Sequence, residues 1–176
     1  NTFAGATGVG SVVLGDEAGA SGQSAVGIGY QAVASGQQSV ALGEGRAAGY
    51  KSATLVIAND TSSYGASGQS AVAIGEMAKA TGGGAMAFGR EAQATSSYAL
   101  ALGKDSIASG GGAIAIANGG SGAEATGQNS IALGEGTKAT QKGQISHASH
   151  KFASRGDGQG SLFTLYADTT DATATV

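Results

Sequence analysis

Carboxylate side chains recur along the chain, and a pair of carboxylates can cleave a glycosidic bond. The recurring positions are Asp16, Glu17, Glu44, Glu76, Glu91, Asp105 and Glu135. Each follows a block-ending glycine by one or two residues, in places beside Lys or Arg. A catalytic pair would occupy one unusual repeat, whereas repetition at a turn is typical of a solvated rim. We therefore predict no catalytic residues and no enzymatic activity.

The two histidines, His147 and His150, are the next candidates for chemistry. His147 stands where other repeats have Ile or Leu. If it pointed inward in a trimer, three copies would converge near the axis and could hold an ion. The simpler interpretation is a polar residue at the end of the repeat array. Because cysteine is absent, thiolate metal sites and disulfides are excluded, and we predict no metal and no cofactor.

Glycine-rich segments suggest phosphate or calcium binding, but their spacing fits neither. Residues 45–52 lack the Walker pattern and precede no helix. The triplets at 82–84 and 110–112 lack the aspartate of calcium-binding nonapeptides. The triplet Arg155-Gly156-Asp157 spells an integrin-binding motif, but we interpret its Gly-Asp as part of a turn.

Rigid, amphipathic tyrosines in loops are the best candidates for ligand contact. Four tyrosines lie in predicted loops: Tyr30, Tyr50, Tyr64 and Tyr98. Two longer loops, 59–66 and 118–122, are equally good candidates because loops carry much of the binding function of proteins. The predicted ligand-binding residues are Tyr64, Tyr98 and Asn118.

All these residues are set within a repeat of about fourteen residues. The first apolar residues of successive blocks are Val12, Val26, Val40, Leu55, Val72, Met86, Leu100, Ile114, Ile131 and Ile145. Their spacings are 14, 14, 15, 17, 14, 14, 14, 17 and 14. A fixed period with insertions confined to a few repeats predicts a solenoid whose loops absorb the extra residues.

Each block alternates apolar, small and apolar residues, which predicts a short strand. We expect Val72 and Ile74 to point inward and Ala73 to face another surface. The glycine after most blocks predicts a turn with positive φ or no room for a Cβ atom. A second strand, with a restricted inward position, is predicted around the alanines that follow five residues later: Ala20, Ala34, Ala48, Ala80, Ala94, Ala108 and Ala139. Such thin coils bury little apolar area, so we expect the small-residue face to pack against copies of the chain.

Composition narrows the class of protein further. Glycine makes up 33 of 176 residues, proline is absent and aromatic residues are 5%, which disfavours a compact globular core. A net charge of -3 without basic clusters argues against a nucleic-acid partner. The sequence contains no run of about 18 apolar residues, so we predict no membrane span. The chain starts at Asn1 without a leader, and we expect it to be part of a longer protein.

The repeats resemble the head of trimeric autotransporter adhesins of the YadA type. The resemblance rests on blocks such as Ser-Ala-Val-Ala-Ile-Gly at 70–75 and Ser-Ile-Ala-Leu-Gly at 130–134, and covers residues 11–148. It implies an all-β, left-handed parallel β-roll that winds as a homotrimer and has no catalytic residues. The departures are Gly27, Ala58, Ala117 and the two insertions.

The repeat pattern weakens after Ile145. We therefore divide the chain into the repeats at 1–148 and the start of a second β element at 149–176. Strands are predicted from Ser161 to Tyr166 and within Asp168 to Thr175. Residues 152–175, with Gly156-Asp157-x-Gln159-x-Ser161, resemble a stretch of bacteriophage tail fibres.

Together the two resemblances predict a non-enzymatic, homotrimeric segment of a phage tail fibre or virion appendage that supports host attachment. Its expected partners are other virion proteins and a host-surface receptor. The alternative is the head of a bacterial trimeric adhesin at the cell surface, which binds host cells or matrix. A third class, a tailspike that depolymerises glycans, would reveal itself by cleaving a host capsule.

Overall fold

A computed structural model of the chain describes residues 5–56 and 63–163. Short strands alternate along it. The odd-numbered strands are β1 (Val12–Leu14), β3 (Val26–Ile28), β5 (Val40–Gly43), β7 (Ala53–Val56), β9 (Val72–Ile74), β11 (Met86–Phe88), β13 (Leu100–Leu102), β15 (Ile114–Ile116), β17 (Ile131–Leu133) and β19 (Ile145–His147). The even-numbered strands are β2 (Gly19–Ala20), β4 (Val33–Ala34), β6 (Arg46–Ala47), β8 (Gly65–Ala66), β10 (Lys79–Ala80), β12 (Gln93–Ala94), β14 (Ile107–Ala108), β16 (Glu124–Ala125), β18 (Lys138–Ala139) and β20 (Gly160–Leu162).

Two parallel sheets run side by side along the molecule. One joins β1 through β19 in order of the odd numbers and ends with β20, and the other joins β2 through β18. Each coil contributes one strand to each sheet, and equivalent residues of neighbouring coils pair, as Leu100 does with Ile114. The predicted parallel β-solenoid with coils of about fourteen residues is confirmed. No helix among the described residues has the length and hydropathy needed to cross a membrane.

The register corrects one position of the predicted repeat. Val40 pairs with Ala53, and Ala53 pairs with Val72. Leu55 pairs with Leu42 and Ile74, so it is the third residue of its strand and not the first. The two steps are therefore 13 and 19 residues rather than 15 and 17. The prediction was wrong because Ala53 is too small to stand out as an apolar block marker.

The inward and outward faces of the odd strands are the reverse of the prediction. Ala73 has no solvent exposure, whereas Val72 and Ile74 on either side of it are only half-buried. The same holds for the other middle residues that are buried: Ala41, Thr54, Ala87, Ala101, Ala115, Ala132 and Ser146. The coil is so narrow that a methyl or hydroxyl group fills the space between its two sheets. Large side chains therefore point away from the interior.

The even strands supply the opposite wall of this interior. Their inward residues are the buried alanines Ala20, Ala34, Ala47, Ala66, Ala80, Ala94, Ala108, Ala125 and Ala139. The restricted inward position is confirmed for six of the seven predicted alanines. In the shortened coil the inward residue is Ala47 rather than Ala48, because β6 starts one residue earlier relative to its neighbours.

The turns explain the glycines. The block glycines have positive φ, as at Gly75 (124°) and Gly89 (123°). A Cβ on Gly75 would also lie 2.7 Å from the carbonyl carbon of Gly89 in the next coil. Both predicted reasons for glycine therefore apply. At the other turn a Cβ on Gly110 would lie 2.1 Å from the carbonyl oxygen of Gly127, so stacked backbones leave no room there.

The last coil is closed by residues 149–162. The strand β20 pairs antiparallel with β19 and ends the parallel run of its sheet. The side chain of Gln159 takes the place of a further strand beside β18. Its Oε1 accepts from the Lys138 N–H at 2.6 Å and its Nε2 donates to the Lys138 carbonyl at 2.7 Å. Of the strand predicted from Ser161 to Tyr166, the first two residues lie in β20, and residues 164–166 lie outside the described residues. The strand predicted within 168–175 lies outside the described residues, and the division into 1–148 and 149–176 stays a prediction.

Candidate functional site

The outward side chains of the odd strands form a continuous apolar surface, which we call the aliphatic face. It consists of Val12, Leu14, Val26, Ile28, Val40, Leu42, Leu55, Val72, Ile74, Met86, Phe88, Leu100, Leu102, Ile114, Ile116, Ile131, Leu133 and Ile145. In the single chain Leu55 is 48% exposed and Leu102 is 42% exposed. Large contiguous apolar surfaces mark interaction sites. The expectation that the small-residue face packs against copies was wrong, since those residues fill the interior.

The aliphatic face continues into the closing segment. Leu162 pairs with Ile145 and, like it, points outward, with 64% exposure. Ser161 pairs with Ser146 on the inward side, where their hydroxyl oxygens lie 2.8 Å apart. The alternation of faces is thus kept when the strand direction reverses at β20.

The two corners of the coil differ in charge. The first corner, which follows each odd strand, carries the recurring carboxylates, with pairs such as Arg90–Glu91 (3.5 Å) and Lys104–Asp105 (3.6 Å). At the second corner, which follows each even strand, none of the described residues is a carboxylate. Exposed ion pairs of this kind stabilise little. The first corner is the solvated rim predicted from the repetition of its acidic residues.

The three predicted ligand-binding residues do not come together. Tyr64 and Asn118 lie at the first corner, four coils apart, which is about 19 Å at the spacing of paired strands. Tyr64 is half-buried and Asn118 is exposed. Tyr98 lies at the second corner, is 79% exposed and lines a shallow groove with Gln69, Gly83 and Gly84.

The histidines lie at the end of the solenoid. His147 is exposed on the outward side of β19, in register with Leu133, so it extends one column of the aliphatic face. The Nδ1 atom of His150 lies 3.8 Å from a carboxylate oxygen of Glu135. Among the described residues, no cluster of three or more His, Asp or Glu side chains has the arrangement of a metal site.

The Arg155-Gly156-Asp157 triplet forms part of the closing segment. The Asp157 carboxylate accepts from the backbone N–H groups of Phe152, Ala153 and Ser154 at 2.9, 2.6 and 2.7 Å. These hydrogen bonds, led by that of Ser154, hold the pKa of Asp157 below its ordinary value because they favour the charged form. The interpretation of Gly-Asp as part of a turn agrees with this geometry.

Arg155 ties the closing segment to earlier coils. Its Nε donates to the Ser121 carbonyl at 2.6 Å and its Nη2 to the Asp105 carbonyl at 3.2 Å. Its Nη1 lies 3.4 Å from Glu124, whose other carboxylate oxygen meets Lys138 Nζ at 3.0 Å. Sequence reasoning missed this role because the partners are carbonyl groups up to 50 residues away. Nothing in the sequence near Arg155 marks them.

The sequence of the chain matches the model of one protein family. The model of the YadA head domain repeat matches residues 6–26, 20–45, 66–92, 94–116 and 125–143, more than half of the chain. No curated protein matches significantly. The matches of the family model end at residue 143, and the resemblance of 152–175 to phage fibres is unsupported. YadA heads are surface-exposed, fibrous and typically trimeric, and they are structural or adhesive rather than catalytic. The chain belongs to the YadA head domain repeat family.

Proposed function

We propose that this chain is a rod-like head segment of a trimeric adhesin, in which three solenoids pack through their aliphatic faces. The observation that carries the proposal is the aliphatic face itself. It runs along ten successive coils, while the interior it covers is made almost entirely of alanine, glycine, serine and threonine.

The physical argument is one of incomplete burial. Transfer of a half-exposed Leu or Ile side chain out of water contributes about 1 kcal/mol. Inward alanines contribute less each because they carry a single methyl group. Repeat proteins gain stability by adding interfaces between units, and here the unused apolar area lies on one side of every coil. Contact between copies would bury it.

The work of such a rod is mechanical and adhesive rather than chemical. A stack of hydrogen-bonded coils forms a stiff support, and its corners display side chains at regular intervals. We place the protein at a bacterial cell surface, with host cells or matrix as its target. This was the alternative of the sequence analysis. It replaces the phage or virion assignment, which rested on residues 152–175. Tyr64 and Asn118 stay predicted ligand contacts.

The test is the molar mass of the purified chain by light scattering, with two matched variants. We expect three chains of 16.7 kDa each for the wild type. Leu102→Asp puts a charge on the aliphatic face and should give monomers, because burying an unpaired carboxylate costs several kcal/mol. Ser97→Asp, at the exposed second corner, should leave the trimer intact. A monomeric, fully folded wild type would contradict the proposal.

A further inference from the structure

The second corner has a chemical character of its own. Its exposed side chains include six carboxamides, at Gln23, Gln37, Gln38, Gln69, Gln128 and Asn129. The Gln37 amide donates to the Gln23 amide of the coil below at 2.9 Å. A carboxamide both donates and accepts hydrogen bonds. Gln23 and Gln37 lie on neighbouring coils, about 4.8 Å apart at the strand spacing. Carboxamides return at Gln69 and at Gln128-Asn129, so this edge presents two-way hydrogen-bonding groups at intervals along the rod.

Tyr98 is an aromatic side chain in a stretch of this edge where the neighbouring coils have no side chains. The flanking coils place glycine pairs at the same positions, Gly83-Gly84 and Gly111-Gly112. A Cβ on Gly84 would lie 2.9 Å from Cδ1 of Tyr98. The ring therefore lies over Gly84, and its position requires that residue 84 has no side chain. The ring and the carboxamide side chain of Gln69 are walls of the same groove, and the glycine backbone forms its floor.

The backbone under Tyr98 is fixed and strained. Its φ is 59°, a left-handed conformation that bulky residues rarely adopt. Its N–H donates to the Gly83 carbonyl at 2.9 Å, which keeps the residue in the stack. The equivalent residues of other coils, such as Ser70 (55°) and Asn129 (54°), have the same φ, so this conformation belongs to the repeated turn and fixes where the Tyr98 side chain leaves the backbone. The ring on this fixed backbone is 79% exposed, so one of its faces is available to a ligand.

A second tyrosine lies along the same edge. Tyr50 occupies the second corner three coils away, about 14 Å at the strand spacing. Lys51 Nζ lies 5.1 Å from its ring centroid. Between the two rings lie Gln69, Ser70 and the glycine pair Gly83-Gly84. The arrangement suits an extended ligand with apolar faces and a polar rim.

We propose that the edge between Tyr50 and Tyr98 binds a neutral carbohydrate chain, with Tyr98 as its main stacking platform. Sugar rings present C–H faces to an aromatic ring and hydroxyl groups to carboxamides. A protein partner fits this edge less well, because stable protein interfaces bury about 800 Å² per side around an apolar centre. The second corner has no such centre, because its two rings, Tyr50 and Tyr98, are about 14 Å apart. The inference deepens the proposed adhesive function and rests on it.

The experiment is calorimetric titration of the purified chain with soluble hexasaccharides of glucose and of N-acetylglucosamine. The key variant is Tyr98→Asn, because Asn129 occupies the equivalent position two coils away and has the same left-handed φ (54°), so folding is preserved. We expect Tyr98→Asn to weaken binding at least about tenfold, as loss of an aromatic anchor does. Tyr98→Phe should keep most of the affinity, and Tyr30→Ala at the first corner should keep all of it.

The outcomes separate this inference from the proposed trimer. A trimer that binds neither hexasaccharide, or binds one equally well without Tyr98, would overturn the inference alone. Binding of gelatin through Tyr98 without any saccharide binding would also overturn it. A monomer that binds a hexasaccharide through Tyr98 would support the inference while contradicting the trimer.

Discussion

The two faces of the odd strands obey opposite size rules. The middle residue of β13, Ala101, has no solvent exposure, while its neighbour Leu102 is 42% exposed. In most globular proteins the larger apolar residue is the buried one. Here the bore of the coil sets the size of the inward residue, and the outer surface is free to carry large side chains. The difference shows that burial within one chain is limited by coil geometry rather than by hydrophobicity.

Two adjacent glycines of the second corner differ sharply in the space around them. A Cβ on Gly110 would lie 2.1 Å from the Gly127 carbonyl oxygen, whereas a Cβ on the adjacent Gly111 meets nothing within 4 Å. We expect Gly110→Ala to lower the free energy of unfolding by about 3 kcal/mol or more, because neighbouring coils must separate. Gly111→Ala should leave it unchanged or slightly raised. Chemical denaturation followed by circular dichroism measures both, and equal stabilities would refute the stacked-backbone explanation.

Enlarging one inward and one outward residue tests the size rule directly. Ala101→Leu should destabilise the chain by about 2 to 3 kcal/mol, since the interior has no space for three more carbon atoms. Ala53→Val enlarges an outward position that holds Val or Ile in most other coils, and should be neutral or mildly stabilising. Thermal unfolding of the two variants checks the comparison. If Ala101→Leu were the milder change, the inward assignment of the alanines would be wrong.

At the closed end of the solenoid, the interior contains a polar side chain, Gln144. Gln144 is 4% exposed, and its side chain bonds the N–H groups of Thr140 and Gln141 and the hydroxyl groups of Ser146 and Ser161. We expect Gln144→Ala to cost about 2 kcal/mol locally, because buried donors and acceptors lose their partners. Hydrogen exchange should quicken at residues 140–141. The exposed neighbour Lys142→Ala serves as control, and unchanged exchange in Gln144→Ala would contradict the closing role.

The smallest effect is expected at the exposed turn around Asp157. Because its pKa is lowered in the folded chain, its contribution to stability is fully present above the unfolded value of about 3.9. It is lost as the pH falls through the folded value. Exchange protection of the 152–154 amides should therefore weaken only in strong acid. Asp157→Asn should remove this dependence, and a loss of protection above pH of about 5 would point to another group.

Much of this fold follows from local spacing. The period, the parallel stacking and the glycine turns were all predicted, because each depends on residues within one coil or on its repetition. Two positions were predicted wrongly: Leu55 is the third residue of its strand and not the first, and Ala47 rather than Ala48 points inward. Both errors arose because the register of an irregular coil depends on the coils on either side of it. The candidate ligand residues were predicted individually. Their distribution over two corners became visible only when the coil was closed.

The sequence alone determined that the chain winds in repeated turns, since alternation and glycine spacing are properties of neighbouring residues. It did not determine which side of each strand faces inward, because a period of two defines two faces without ranking them, and the predicted inward position of Val72 and Ile74 was wrong. That ranking depends on the distance between the two sheets, which exists only once the coil has closed. The tertiary structure also decided that residues 149–162 cover the last coil, since key partners, such as the Ser121 and Asp105 carbonyls, are backbone groups of distant residues that carry no signal in the sequence.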